Sequence, residues 1–316
     1  MKQWRKFVVL ALAMLCASSL APTVAYAETP GKDGDLTVST AVTINQYAAL
    51  SASAVATNTS VTVVSLSVNL AGLQPGDLIM IYQAQGAAIS TTDSAAYGAV
   101  TALNNAGRWE YQTVGSVVGD TINLAGYGGQ CSGLRNSYDL TGKPQVLRVP
   151  QYRNLTITAG GSINAAQWNG TTGGVVSVHV SGTLANAGAI SADAAGFRGG
   201  AINNNSGANY NITGFRTTDA NQAGTKGESI AGYQTEYDSL GGRYGRGAPA
   251  NGGGGGNAHN AGGGGGANGD NGNTWAGQGV PDNSNGTWAA AWNIDGTLTS
   301  TTSNSGGGRG DRKSVV

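Results

Sequence analysis

Cysteine is nearly missing from this chain. Cys16 falls in a leader-like N-terminus and Cys131 stands alone after it, so no disulfide framework can form within the mature sequence. Histidine is as scarce. His179 and His259 are the two in the chain, with no His-Glu-x-x-His, His-x-x-x-His or paired-cysteine spacing, and that removes a zinc signature. Charged residues make up 11% of the chain, and beyond Ala27 they divide into 14 basic and 17 acidic side chains. No basic stripe interleaved with aromatics occurs, so nothing supports a nucleic-acid partner. An apolar periodicity of 3.6 residues is missing outside the leader, so helices are expected to be scarce. Catalytic spellings are missing too. There is no G-x-S-x-G elbow, and Pro144 after Gly142-Lys143 breaks a phosphate loop.

What is present begins with an export signal. Lys2, Arg5 and Lys6 form a positive n-region, Phe7–Leu20 an apolar stretch, and Ala25-Tyr26-Ala27 a small-x-small cleavage site before Glu28. Residues 1–27 are therefore read as a removable signal peptide. No second stretch resembles a membrane span, so no transmembrane segment is expected after signal removal. The chain is expected to be secreted or held at the bacterial cell surface.

The mature sequence divides into three parts by composition. Residues 28–150 read as short-stranded β-structure. Val61–Val68 is β-branched, and Leu73-Gln74-Pro75-Gly76-Asp77 is a turn signal. Leu78–Tyr82 has the continuous apolar character of a strand buried on both faces. Trp109–Val118 and Thr121–Leu124 flank Gly119-Asp120, which suits a tight hairpin. Residues 151–200 carry much shorter strands separated by Gly or Asn: Leu155–Ile157, Ser162-Ile163, Val175–Val180, Thr183-Leu184 and Ala189-Ile190. Strands that short, with turns at that density, argue for a parallel β-helix-like coil in which each rung pairs with the next. A β-sandwich is the competing fold. Residues 201–310 are rich in Gly and Asn, and 32 of the 53 glycines fall between Gly196 and Gly310. So few large side chains cannot build a conventional core, yet Tyr210, Phe215, Tyr233, Tyr237, Tyr244, Trp275, Trp288 and Trp292 punctuate the segment. It is read as partly ordered or disordered, with its aromatics as contact groups. The fold class is all-β.

Groups that could carry chemistry are few. A polysaccharide-cleaving enzyme needs a carboxylate pair in a groove, and Asp193, Asp219, Glu228, Glu236 and Asp238 show no spacing that places two together. Lys32-Asp33-Gly34-Asp35 and Asp270-Asn271 offer oxygen ligands for calcium but read better as solvated turns. By alternation His179 shares a strand face with Val175 and Ser177 as a face-lining polar residue, and His259 lies between two glycine runs. No catalytic, cofactor-binding or metal-binding residue is assigned, and no cofactor is expected.

The last six residues, Asp311–Val316, break with everything before them. Read back into codons they match a common sequencing-adapter string followed by a stop, so the chain is expected to be the N-terminal piece of something longer. The Arg309-Gly310-Asp311 tripeptide borrows its aspartate from that hexapeptide and is given no weight.

A set of segments then points to a family. Gly76-Asp77-Leu78-Ile79-Met80-Ile81-Tyr82-Gln83-Ala84-Gln85-Gly86 resembles the G-D-x-[VIL]-x-[IL]-x-Q-x-Q-G stretch of large, glycine-rich exported bacterial proteins of the adventurous-gliding-motility type. Trp109–Leu124, Val146–Tyr152, Trp168–Val175, Ser181–Leu184 and Gly196–Gly200 are similar to further segments of that group. The resemblance covers about residues 31–270. It implies a structural or adhesive role at the cell surface, linked to surface motility, with surface glycans or other cell-surface proteins as partners and no catalytic residues. Two alternatives stay open: a polysaccharide-active β-helix lyase or hydrolase, and the passenger of an autotransporter-like secretion system.

Overall fold

The computed structural model describes residues 29–94, 96–128, 132–201, 214–220 and 224–255. These residues are mostly β, with two short α-helices. The first strands are β1 (Asp35–Val38), β2 (Ala41–Val42), β3 (Gln46–Ala49) and β4 (Ser60–Thr62), followed by helix α1 (Leu66–Asn69). Next come β5 (Leu78–Gln83), β6 (Ala88–Ile89), β7 (Val100–Ala102), β8 (Trp109–Val118), β9 (Thr121–Gly126) and β10 (Pro144–Val149). The later strands are β11 (Gln151–Tyr152), β12 (Asn154–Ile157), β13 (Ser162–Asn164), β14 (His179–Val180), β15 (Leu184–Asn186) and β16 (Ala189–Ser191), and helix α2 (Thr235–Ser239) comes last.

Six strands form an antiparallel sheet in the order β3-β10-β5-β8-β9-β4. Its two edges meet: Leu50 bridges Val63, with Ser51 N–H donating to Thr62 O and Val64 N–H to Ala49 O, each at 2.9 Å. The sheet is thereby closed into a six-stranded barrel with no free edge. Alternation fills its interior, with Ala48, Val61, Ile79, Ile81, Val114, Ile122, Leu124 and Val146 in one buried cluster. The hairpin expected at Gly119-Asp120 joins β8 to β9, pairing Val118 with Thr121. The strand expected over Val61–Val68 is shorter than its β-branched composition suggests. Ser65 turns left-handed (φ 49°), and Asp120 Oδ1 accepts the Leu66 N–H at 2.8 Å, so the chain starts α1 instead.

The chain enters and leaves this barrel from a second, wound structure. β11, β12 and β13 pair in parallel with β14, β15 and β16: Gln151 faces His179, 28 residues on; Leu155 faces Leu184, 29 on; Ile163 faces Ile190, 27 on. The composition change at residue 151 marks a re-entry, because β1 pairs in parallel with β12 and β2 with β13. Residues 35–42 thus belong to the winding, and the barrel is inserted between its first two passes. Val38, Leu155, Ile157 and Ile163 form its core, with Leu36, Ile44, Val176, Val178 and Val180 packed against them.

Two kinds of contact join barrel and winding. Charge clamps the junction: Lys32 reaches the buried Asp77 at 2.6 Å, Arg148 reaches Asp33 at 2.6 Å, and Arg153 binds Asp35 through two nitrogens at 2.9 and 2.7 Å. The Lys32–Asp35 tetrapeptide is therefore an ion-pair clasp. Side-chain amides do the rest. Segment 173–177 lies across the outer face of β10 and β3 without a strand partner there. Gln145 supplies one, donating to Gly173 O at 2.9 Å and accepting from its N–H at 2.9 Å. Asn45 repeats the arrangement on Ser177, at 2.6 and 3.0 Å, and Tyr47 Oη donates to Val175 O at 2.6 Å. This explains why β5 and β10 are buried on both faces: one lines the barrel and the other is roofed by the winding.

The described part of the glycine-rich region packs against β6 and β7. Ile89, Tyr97, Phe215 and Ala250 form its cluster. At its centre Lys226 is fully buried, donating to Phe215 O, Gly245 O and Gly247 O at 2.7, 2.8 and 2.5 Å, with its Nζ 4.5 Å from the Tyr97 ring centroid. Gly247 has to lack a side chain here, since a Cβ would press into the Tyr97 ring and the Phe215 carbonyl. Burial pushes the Lys226 pKa well below the ordinary lysine value, opposed by Asp93.

Replacing Gln145 with leucine keeps the volume but strands the buried N–H and C=O of Gly173. The variant is expected to lose roughly 2 kcal/mol or more of stability in denaturant unfolding, and a loss below about 0.5 kcal/mol would show that the amide is not a substitute strand partner. The clasp has a pH signature. Arg153 holds the Asp35 carboxyl at about 2, below its unfolded value of about 4. A lowered folded value contributes stability that is present above the unfolded pKa and fades as pH falls towards the folded one. Wild type and Asp35→Asn are therefore expected to differ in melting temperature at pH 6 and to converge as pH falls from about 4 to 2; a gap that stays constant over that window would assign the difference to something other than this carboxylate.

Candidate functional site

The end of β5, the turn after β13 and the segment after β16 enclose a cleft of about 120 Å³, lined by Tyr82, Ala84, Trp168, Gly173, Gly174, Val175, Gly196 and Phe197. Each wall follows from local sequence. In the Trp168–Gly174 stretch the Asn169 carboxamide folds the turn, its Oδ1 accepting from the N–H groups of Thr171 and Thr172, both at 2.9 Å, and from Thr171 Oγ1 at 2.8 Å. Gly173 takes φ +104°, and a Cβ there would collide with the Gln167 carbonyl, so the turn tolerates no side chain at the point where the chain descends onto Gln145. That descent fixes the Trp168 ring, whose backbone N–H donates to Ala195 O at 2.9 Å and so draws in the third wall.

Trp168 and Phe197 meet edge to face with centroids 5.9 Å apart. Across from them Tyr82 presents a half-buried ring, its phenol pKa raised by burial. The Trp168 indole nitrogen is buried without a hydrogen-bond partner. Beside Phe197, Arg198 is held by the buried Glu228 through Nε at 2.8 Å and Nη2 at 3.1 Å and lies 4.3 Å over the Tyr233 ring. Glu228 also accepts from the Gln85 amide at 3.0 Å, so one carboxylate ties β5's extension, the segment after β16 and the glycine-rich unit together. Three aromatic rings, glycine backbone and a shortage of charge make this a surface for stacking a flat or weakly polar ring.

None of the carboxylates weighed for hydrolysis lines the cleft. Glu228 faces Arg198, Glu236 faces Lys143 at 3.2 Å, and Asp238 pairs with Arg243. Asp193 is exposed beside Ser191, and Asp219 lies outside the cleft lining. His179 stands in β14 opposite Gln151. Among the described residues no three His, Cys, Asp or Glu side chains gather as a metal site. Cys131, Tyr210, His259, Asp270, Trp275, Trp288 and Trp292 lie outside the described residues.

Two aromatics of the glycine-rich unit differ from the contact groups expected of them, while Tyr233 and Tyr244 are partly exposed. Phe215 and Tyr237 are buried, with Tyr237 Oη bonded to Gly227 O and Ser229 Oγ, each at 2.9 Å. A segment this poor in aliphatic side chains uses its rings as its core. The rings that do line an opening come from the barrel and the winding, and nothing in their spacing along the chain joins them.

No helix among the described residues is long and apolar enough to cross a membrane. No family model matches the chain, and no curated protein matches it. Among solved structures it is similar to three phage tailspikes. Tailspike gp61 of Pseudomonas phage phi297 is 17% identical over 51% of this chain and 22% of its own, with a TM-score of 0.22. Gp54 of Acinetobacter baumannii bacteriophage AP22, solved in complex with A. baumannii capsular saccharide, is 17% identical over 50% and 23%, with a TM-score of 0.23. Tailspike gp49 of Pseudomonas phage LKA1 is 16% identical over 40% and 23%, with a TM-score of 0.21. The chain spans under a quarter of the length of each.

Proposed function

We propose that this chain is an exported cell-surface protein with a structural or adhesive role, and that its aromatic cleft binds a sugar ring of a surface glycan. The observation that carries the reading is the cleft itself. Tyr82, Trp168 and Phe197 converge from three distant segments on a site walled otherwise by Ala84, Val175 and three glycines. Sugar rings offer flat C–H faces that stack on aromatic planes, and rigid rings supply contact area at low entropic cost. The volume is well below the roughly 300–1,000 Å³ of drug-sized sites, which suits one ring of a longer chain lying across the surface.

The reading is one of binding, because Glu228, Glu236 and Asp238 each face a basic partner and do not face each other across the cleft. The winding fits a parallel β-helix, supported by three parallel pairings at offsets of 27 to 29 residues. The signal peptide and the resemblance to gliding-motility surface proteins support export and a part in surface motility.

The test is a glycan array followed by titration calorimetry with the best ligands. Phe197→Ala and Tyr82→Ala are expected to weaken binding at least tenfold, about 1.4 kcal/mol, while circular dichroism stays unchanged. Arrays without a saccharide hit, or hits indifferent to both substitutions, would remove the cleft from the function.

A further inference from the structure

Among the described residues the winding has two open edges. Among the described residues β15 and β16 pair on one side only, with β12 and β13, and β1 and β2 pair with the other side of those same strands. Residues 181–190 are exposed throughout. Leu184 and Ile190 continue the stacks begun by the fully buried Leu155 and Ile163, yet they are 47% and 41% exposed, with no strand among the described residues beyond them. At the opposite edge Val42, stacked on Ile163, is 37% exposed.

Open edges are usually guarded by lysine, proline, a bulge or a covering segment, and terminal repeats of wound folds usually carry a polar cap. Among the described residues neither device is present. Leu184-Ala185-Asn186 and Ala189-Ile190-Ser191 hold no charge and no proline, and the same is true of residues 36–42. The two edges also match. β1 and β15 pair with opposite sides of the same strand, β12, in parallel and in one register: Leu36, Leu155 and Leu184 form one stack. Val42, Ile163 and Ile190 form a second stack through β13. A further β1–β2 pair placed on β15–β16 in that register sets Leu36 on Leu184, Ala41 on Ala189 and Val42 on Ile190, small or apolar against small or apolar.

We propose that copies of this chain stack head to tail, the β1–β2 edge of one seating on the β15–β16 edge of the next to continue the parallel ladders across the joint. The joining surfaces differ, so the contact is heterologous and does not close on itself; it yields a linear series. The winding would then run through successive molecules, and the inserted barrels with their clefts would repeat along the outside.

Sedimentation velocity on the full mature chain over a wide concentration range tests this. Wild type is expected to form a series of linear oligomers. Leu184→Lys/Ile190→Lys blocks one edge and Ala41→Lys/Val42→Lys blocks the other, so each variant alone is expected to stay monomeric. Their equimolar mixture retains one sound joint per pair and is expected to give dimers and nothing larger, a rescue that misfolded variants could not produce. Wild type that stays monomeric throughout, variants that still form the series, or a mixture without dimers would each overturn the proposal.

Discussion

Two buried side-chain amides set the geometry on which the rest of the structure depends. A strand laid on the outside of a closed barrel has no ladder to join, and its N–H and C=O groups would be buried without partners. Gln145 and Asn45 remove that cost by presenting one donor and one acceptor each, the same pair a backbone offers, to Gly173 and Ser177. The repertoire extends further. Gln151 Oε1 accepts the Leu78 N–H, Gln83 Oε1 accepts the Asp139 N–H, and Gln85 spans Glu228 and Ser229 O. These amides sit where three bodies of different architecture meet. Apolar residues could fill the same volume but could not satisfy a crossing backbone, so the polar side chains set the register in which the bodies join. The cleft is a product of that register: Tyr82 and Ala84 lie at the end of β5, and Trp168 and Gly173–Val175 in the segment the amides hold down.

The insertion of the barrel into the winding imposes a second demand, because the chain leaves after β2 and returns at β11. Both ends of the insertion must stay together for the parallel ladders to form across it. The clasp lies at that point. Arg148, at the end of β10, reaches Asp33 and Asp77, and Asp33 Oδ2 accepts the Gln151 N–H at 2.7 Å just where the chain re-enters. Isolated exposed ion pairs contribute little, but Asp77 is buried and shared between two cations and the Gln74 N–H. Its removal would leave Lys32 without its carboxylate, the Gln74 N–H without its acceptor and Arg148 with Asp33 alone.

The parts of this fold that are legible in sequence are those decided within ten or so residues. Gly119-Asp120 between two β-branched runs announces its hairpin, the apolar Leu78–Tyr82 announces a doubly covered strand, and the density of Gly and Asn after residue 151 announces short strands. What is illegible is decided by distant partners. Nothing in residues 35–42 says that they pair with 154–164, more than a hundred positions on, and nothing local says that Leu50 meets Val63 to close the barrel. The strand over Val61–Val68 is misjudged for the same reason. Its end is set by Asp120, a residue in another hairpin. The cleft is the extreme case, since its three rings come from positions 82, 168 and 197 and the Glu228 that steadies its rim comes from a fourth segment.

The glycine-rich unit shows how a sequence without aliphatic bulk can still be compact. Glycine lowers the distance at which backbones can pass, so carbonyl groups crowd inward where larger residues would have placed methyl groups. An interior lined with carbonyl oxygens is negative and poorly solvated, and each oxygen needs a donor. One lysine meets that need three times over. Lys226 uses all three N–H bonds of its ammonium on Phe215, Gly245 and Gly247 and sets its charge against the Tyr97 ring. Burial works against the charged form, and the carbonyls and Asp93 work for it. The site therefore depends on a full complement of acceptors, and those acceptors sit where they do because Gly245 and Gly247 allow the backbone close enough. Glycine content and buried cation are thus one device. The segment needs the lysine because it has the glycines, and it can seat the lysine for the same reason.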